Sequence, residues 1–287
     1  HPEPGIIGSE GYDMSLPQLN FTQGLEVYKR VRFPNTRENE FAIQILSGRG
    51  RPYKCAFCFR NDKQFAKYNA EDLFDDIRHY HKYHGITHFQ FSDELLMASP
   101  VRCVEITEVL RDLQRRFNHA LKFDCNGRLN IAAKHPDLLV DMKRVGFNYI
   151  NYGCESMEQE VLDNINKNQT VEQIYAGIEN TIAAGITPGL NFMWGNPGDN
   201  YRTLWEAVNF IHQHTDYSEL RTIRPVTPYP GTELFDRLGI SVDAFYSVHK
   251  NSDLFSFHFM DGISNEYADG HLFLANRLLF RAYMKHK

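Results

Sequence analysis

Long apolar runs are missing from this sequence. Nowhere do about 18 hydrophobic residues follow one another, which excludes a membrane-spanning helix. Cysteine is scarce and odd in number. Five in 287 residues cannot build a disulfide scaffold, so a reducing, cytoplasmic setting is the expectation. Neither sign of charge dominates: 31 Lys and Arg against 36 Asp and Glu leave a net charge of −5. That balance argues against a broad phosphate-tracking surface and so against a nucleic-acid partner. No signal-peptide pattern and no low-complexity tract occur. The first residue is His1 rather than methionine, from which a piece of a longer polypeptide is expected. What is present, 42% hydrophobic residues, suffices for one large domain or two small ones.

Proline and glycine break any period over residues 1–40, which read as an arm or linker. From residue 41 a repeating alternation begins. Short β-rich runs at 41–46, 88–91, 121–125, 149–152, 189–194 and 222–226 alternate with helical patterns at 70–84, 101–117, 136–145, 171–184 and 204–214. Asn69 is placed to cap the first helix, and Gly85, Gly146 and Gly185 follow three helices where a left-handed residue ends them. Parallel strands need such crossovers. The expected fold class is α/β, with doubly wound and barrel topologies both compatible with the alternation. Unusual residues at the strand ends favour a partial (βα)6 TIM-like barrel of parallel strands over residues 41–240. Residues 241–287 then form a helical tail or lid.

The loop after the first run reads Ser47-Gly-Arg-Gly-Arg-Pro-Tyr-Lys-Cys-Ala-Phe-Cys58. A bare CxxC has several readings. A redox pair prefers the start of a helix, a zinc site needs two further ligands, and an iron–sulfur site needs further thiolates. Two buried small thiols are the plain alternative.

The motif order nevertheless resembles the radical S-adenosylmethionine (radical SAM) enzymes, whose signature is CxxxCxxC with an aromatic residue before the last cysteine, here Phe57. Phe89-Gln-Phe-Ser-Asp-Glu94 is similar to the family's second-strand motif. Asn151-Tyr-Gly-Cys-Glu-Ser156 with Val161–Lys167 resembles its fourth-strand segment, and Phe192-Met-Trp-Gly-Asn-Pro-Gly-Asp199 its fifth-strand turn. Arg224–Leu234 resembles the sixth-strand ending. The set is most like the branch associated with a cobalamin-binding domain.

The resemblance implies a 4Fe-4S cluster on Cys55 and Cys58, with S-adenosylmethionine across the strand ends. Cleaving the sulfonium would start radical chemistry, with methyl transfer as one outcome, on a small-molecule or peptide substrate. A reductant such as flavodoxin or ferredoxin would supply the electron. Asp93 and Glu94 would accept the methionine ammonium, with Glu94 in the leading role. Glu155 would hold ribose hydroxyls, Arg128 a carboxylate, and Gly195, Asn196 and Pro197 the adenine. Capped turns and surface ion pairs are the plain readings of these residues.

One departure stands out. The family's first cysteine falls at Arg51, and a guanidinium offers only donors. Cys125 or Cys154 could supply a third thiolate; otherwise the cluster is impaired, or the chain is a cluster-deficient barrel that binds S-adenosylmethionine or a partner. A small zinc module on Cys55, Cys58 and a histidine is a weaker reading. No D-x-H-x-x-G cobalamin motif occurs, so cobalamin would come through a domain outside this chain. His79, His81, His84 and His88 suggest a metal cluster, but a solvated helix end with dipole-favoured histidines is the expectation.

Overall fold

The computed structural model describes residues 6–7, 40–50, 52–59, 65–250 and 257–287. Most of the 1–40 arm, and Arg51 with it, lie outside the described residues.

In chain order the elements begin with β1 (Ile6–Ile7), β2 (Ala42–Ile45), β3 (Gly48–Arg49), β4 (Phe65–Lys67), α1 (Ala70–His84) and β5 (His88–Phe91). Then come α2 (Pro100–Arg116), β6 (Lys122–Gly127), α3 (Leu129–Lys134), α4 (Pro136–Arg144), β7 (Phe147–Glu155), α5 (Gln159–Asn164) and α6 (Val171–Ala183). The last are β8 (Thr187–Trp194), α7 (Tyr201–His214), β9 (Ile223–Pro225), α8 (Glu233–Leu238), α9 (Val242–Lys250) and α10 (Asn265–Lys285). None of the described helices is long and apolar enough to cross a membrane.

Six strands form one sheet in the order β2-β5-β6-β7-β8-β9. The β2–β5, β5–β6, β6–β7 and β8–β9 pairs are parallel. The order follows the chain without reversal, so there is no switch point of the kind a doubly wound sheet requires. This resolves the choice left open by the alternation: the fold is α/β, with consecutive β/α units as in a partial barrel.

The local chemistry explains the elements. Asn69 caps α1 by accepting from the Glu71 amide at 2.9 Å, and Gly85 ends it at φ 68°. Pro100 occupies the first turn of α2, where its missing N–H is harmless, and Asn200 and Thr203 form a reciprocal capping box on α7.

The chain divides into two compact units, one of residues 1–52, 60–152 and 176–189, the other of 53–59, 153–175 and 190–287. In the first, Phe89 and Phe91 alternate with His88 and Gln90, so rings share one sheet face and polar groups the other. Phe123 stacks on Phe89 at 6.0 Å and meets Phe147 at 5.7 Å. His88 corrects an expectation. Far from marking a solvated helix end, it is fully buried on β5, with Nε2 2.7 Å from Asp124 Oδ2.

In the second unit, α10 packs on α7 and β9. The buried stripe of α10 is Ala268, Leu272, Ala275 and Leu279.

Candidate functional site

In the first unit the strand ends carry a connected polar chain. Asp93, just past β5, is buried, and both its oxygens accept from Ser47: Oδ2 from the backbone N–H at 2.9 Å and Oδ1 from the hydroxyl at 2.8 Å. Burial pushes the Asp93 carboxyl up to about 6, against the pull of the Ser47 bonds and the Arg102 charge. Arg102 in turn donates to the Ser47 carbonyl. Gly48 is required here, since a Cβ would lie 2.9 Å from the Ala66 carbonyl oxygen and 3.3 Å from the Asp93 carboxylate.

Asn126 Nδ2 donates to the Asp93 carbonyl at 2.9 Å, and Asn126 Oδ1 accepts from Asn151 Nδ2 at 3.1 Å. The hydrogen bonds thus run from the end of β5 through β6 to β7. Glu94 is half-buried beside Asp93. Arg128 is buried at the start of α3, and its Nε donates to Asn130 Oδ1 at 3.1 Å. Ser47, which motif reading passed over, thus holds Asp93 through both carboxylate oxygens.

In the second unit Cys55, Ala56, Phe57 and Cys58 form a tight turn closed by the Cys58 amide donating to the Cys55 carbonyl at 3.1 Å. Two bonds pin the turn through Ala56: its N–H donates to the Ile165 carbonyl at 2.9 Å, and its carbonyl accepts from the Leu234 amide at 3.0 Å. Ala56 packs with Val226 and Leu234, flanked by Phe57 and Phe259. Neither cysteine is in a disulfide, and both are partly buried.

Glu155 ends β7 at φ 66°, a left-handed conformation that side chains other than glycine rarely adopt. Its carboxylate is buried and accepts from Lys167 Nζ at 2.6 Å. Lys167 Nζ also lies 5.7 Å from the centre of the Phe57 ring. The pair sits over Gly153, where a Cβ would come 2.1 Å from Glu155 Oε1. Lys167 belongs to the Val161–Lys167 motif segment, but nothing in the spacing marked it as the partner of Glu155.

The turn after β8 has Gly195 at φ 101° and Gly198 at φ 92°. Asp199 gathers it, accepting from the Gly195 and Asn196 amides at 3.0 and 2.9 Å, from Asn196 Nδ2 at 3.1 Å, and from the Thr203 hydroxyl at 2.7 Å. Burial pushes the Asp199 carboxyl up to about 6 despite these donors. Asn196 is fully buried, and its Oδ1 finds no hydrogen-bond partner among the described residues. An acceptor left open in this way suits an incoming N–H group. The Pro197 carbonyl accepts from Asn164 Nδ2 at 3.0 Å.

These residues fit a nucleoside–amino-acid ligand: an open amide acceptor in a glycine turn, and a buried carboxylate–ammonium pair. They fit an iron–sulfur cluster less well. Among the described residues no group of three or more His, Cys, Asp and Glu side chains could hold a metal ion. Cys125 and Cys154 are buried, and burial raises both thiols well above the ordinary range. Two thiols on a pinned turn are what the described residues offer.

Comparison with known proteins gives a consistent picture. The model of the Radical SAM superfamily matches residues 45–211. The bacteriochlorophyllide d C-8(2)-methyltransferase of Chlorobaculum tepidum is 22% identical over 233 residues, 77% of this chain and 49% of the relative. The anaerobic magnesium-protoporphyrin IX monomethyl ester cyclase of Rubrivivax gelatinosus is 28% identical over 222 residues, 76% of this chain and 36% of the relative. This chain thus spans half or less of the length of these two relatives. Among solved structures, the radical S-adenosylmethionine methyltransferase TsrM of Kitasatospora setae, with cobalamin and an iron–sulfur cluster bound, shares the fold. Its TM-score is 0.57 at 16% identity, covering 74% of this chain and 37% of that one.

Proposed function

Because the chain belongs to the radical SAM superfamily, we propose that it binds S-adenosylmethionine and acts as a radical SAM-type enzyme impaired at its cluster by Arg51. The observation that carries the reading is the Ala56-pinned turn, which holds Cys55 and Cys58 beside the Glu155–Lys167 pair within one unit. Glu155, paired with Lys167, would hold the ribose hydroxyls of the ligand, and the Gly195-Asn196-Pro197 turn its adenine. Glu94 would take the ammonium, with Asp93 locked behind it by Ser47. Arg128 remains the proposed partner of a carboxylate, and Phe57 the aromatic wall beside the cysteines.

The cluster is where the donor set falls short. Cys55 and Cys58 would be its ligands, and Arg51 stands where a third thiolate is needed. A guanidinium has no lone pair to give to iron. That substitution is also the specific reason for a second reading, a barrel that binds S-adenosylmethionine or a partner without radical catalysis.

Relatives named as methyltransferases support methyl transfer as the reaction class, on a small-molecule or peptide substrate. Cobalamin would be supplied by a domain outside this chain, the electron by flavodoxin or ferredoxin, and the setting would be cytoplasmic. The barrel would span residues 41–240, between the arm and the helical tail.

Anaerobic reconstitution with iron and sulfide tests the reading, with iron counted and 5′-deoxyadenosine measured after reduction. The chain as written should hold little iron and release little product, and Arg51→Cys should raise both. Equal product from the two forms would show that three thiolates are not required. If neither binds iron while calorimetry still detects S-adenosylmethionine, the second reading holds and the enzyme reading fails.

A further inference from the structure

One cavity of the first unit is lined by none of the residues proposed to hold S-adenosylmethionine. It encloses about 340 Å³, room for a small organic ligand. Lys67 and Tyr68, at the end of β4, form one side of it, and Leu73 in the first turns of α1 another. The third side is α2, where Arg102, Glu105, Ile106 and Val109 recur at three- and four-residue steps and so share one face of the helix.

The charged groups of the lining are two cations and one carboxylate. Lys67 Nζ donates to both oxygens of Glu105, at 2.7 and 3.0 Å. Arg102 donates from one terminal nitrogen to Glu105 at 3.3 Å and from the other to the Ser47 carbonyl. These bonds leave N–H groups to spare on both the ammonium and the guanidinium. Arg102 is only 5% exposed, yet its Nε–H has no hydrogen-bond partner among the described residues. A donor unmet at that depth is costly, and an incoming acceptor offsets the cost. The Tyr68 hydroxyl is already committed to Asp76 at 2.8 Å. The remaining wall is apolar, with Leu73 and Ile106 buried and Val109 half-buried.

From this arrangement we propose that the cavity binds a small organic monocarboxylate. The head group lies on Lys67 and Arg102 beside Glu105, and the apolar body lies against Leu73, Ile106 and Val109. The charges select the head group. Two cations against one carboxylate leave one positive charge, which a monoanion balances. Phosphate, mostly a dianion at neutral pH, would bring excess negative charge beside Glu105. Asp93, held by the same Ser47 that Arg102 bonds, adds to that repulsion. An organic cation would meet Lys67 and Arg102 directly.

The test is titration calorimetry of the full chain at neutral pH with octanoate, butyrate, octylammonium and inorganic phosphate. Octanoate should saturate one site per chain. Butyrate, shorter by four methylenes, should bind more weakly by on the order of 100-fold. Octylammonium and phosphate should give no saturable heat. Lys67→Met removes a charged donor and should weaken octanoate about tenfold, and Lys67→Arg should restore most of the loss. Val109→Phe fills the cavity and should weaken octanoate by about tenfold or more, with thermal melting used to confirm that each variant is folded. The ligand series on the parent decides the matter even where a variant does not fold. The proposal is overturned if octanoate shows no saturable binding, if octylammonium binds as well as octanoate, or if phosphate binds more tightly than octanoate. Octanoate binding unchanged in both Lys67→Met and Val109→Phe would place the ligand elsewhere, and would overturn it as well.

Discussion

The side-chain amide of Asn276 pairs with both backbone groups of Ile223, its Oδ1 accepting from the N–H at 2.8 Å and its Nδ2 donating to the carbonyl at 2.9 Å. Ile223 opens β9, the last strand in the sheet order, and an end strand presents unpaired backbone groups on one side. The amide from α10 stands in for a neighbouring strand. Asn276→Leu would keep the volume and leave a buried donor and acceptor unmet, at about 1–3 kcal/mol for each group. Urea unfolding at neutral pH should show a loss of that size. An unchanged midpoint would mean that water satisfies Ile223 and that the helix is dispensable to its unit.

His88 and Asp124 pose a sharper problem of burial. Both are essentially inaccessible, and the Asp124 carboxyl is raised by burial, with His88 and Lys122 pulling it back. Removing one member leaves the other buried without its main partner, which costs about 3–5 kcal/mol. His88→Leu and Asp124→Leu should each approach that loss in thermal or urea unfolding. The double variant should recover part of it, since two apolar groups of similar shape need no partner. Strictly additive losses would contradict a coupled pair.

The same histidine shows where sequence reading stops. The span of α1 was legible to the residue because cap, acidic first turn and terminal glycine lie within the helix's own segment. The small sheet of β1, β4 and β3 was not, because strands of two or three residues have no alternation to read. β7 runs to Glu155, beyond the expected Tyr152, because Gly153 looks like a breaker until the carboxylate–ammonium pair beside it is known. The thiol turn and the glycine turn were legible as motifs. Their partners Ser47, Lys167 and Asn276 were not, since each meets its target across long sequence separations or through tertiary packing that spacing does not encode.

Asp93 and Asp199 give a pH dependence with a definite sign. Each carboxyl titrates near 6 in the folded chain, against 3.8 ordinarily. Between those values the unfolded chain has released its proton while the native state keeps it. Stability therefore falls as pH rises through that window, and the contribution is level above it. At 1.36 kcal/mol per pKa unit the drop is about 3 kcal/mol for each group. Carboxyls held low, such as Glu105, slope the other way, so the observable is the difference between variant and parent. Asp93→Asn and Asp199→Asn should each flatten the urea-midpoint curve between about pH 4 and 6 relative to the parent. A variant curve parallel to the parent's would show that the replaced carboxyl titrates normally.

Gly153, Glu155 and Lys167 allow the site to be tested without iron or ligand. A Cβ at Gly153 would stand 2.1 Å from Glu155 Oε1 and 2.6 Å from Lys167 Nζ, so Gly153→Ala must push the pair aside. Overpacking of this kind costs about 1–3 kcal/mol. Lys167→Met leaves the buried Glu155 carboxylate without its ammonium, at about 3–5 kcal/mol. If the glycine exists to seat that ion pair, the two losses share a cause and cannot add. Once Met replaces Lys167, the methyl introduced by Gly153→Ala displaces a pair that is already broken. Urea unfolding of the parent, both single variants and the double variant should then give a coupling energy of at least about 1 kcal/mol, with the double variant less unstable than the sum. Lys167→Arg keeps the charge and should recover most of the stability of the parent. Additive losses would assign Gly153 to the strand's own packing and detach it from the Glu155–Lys167 pair.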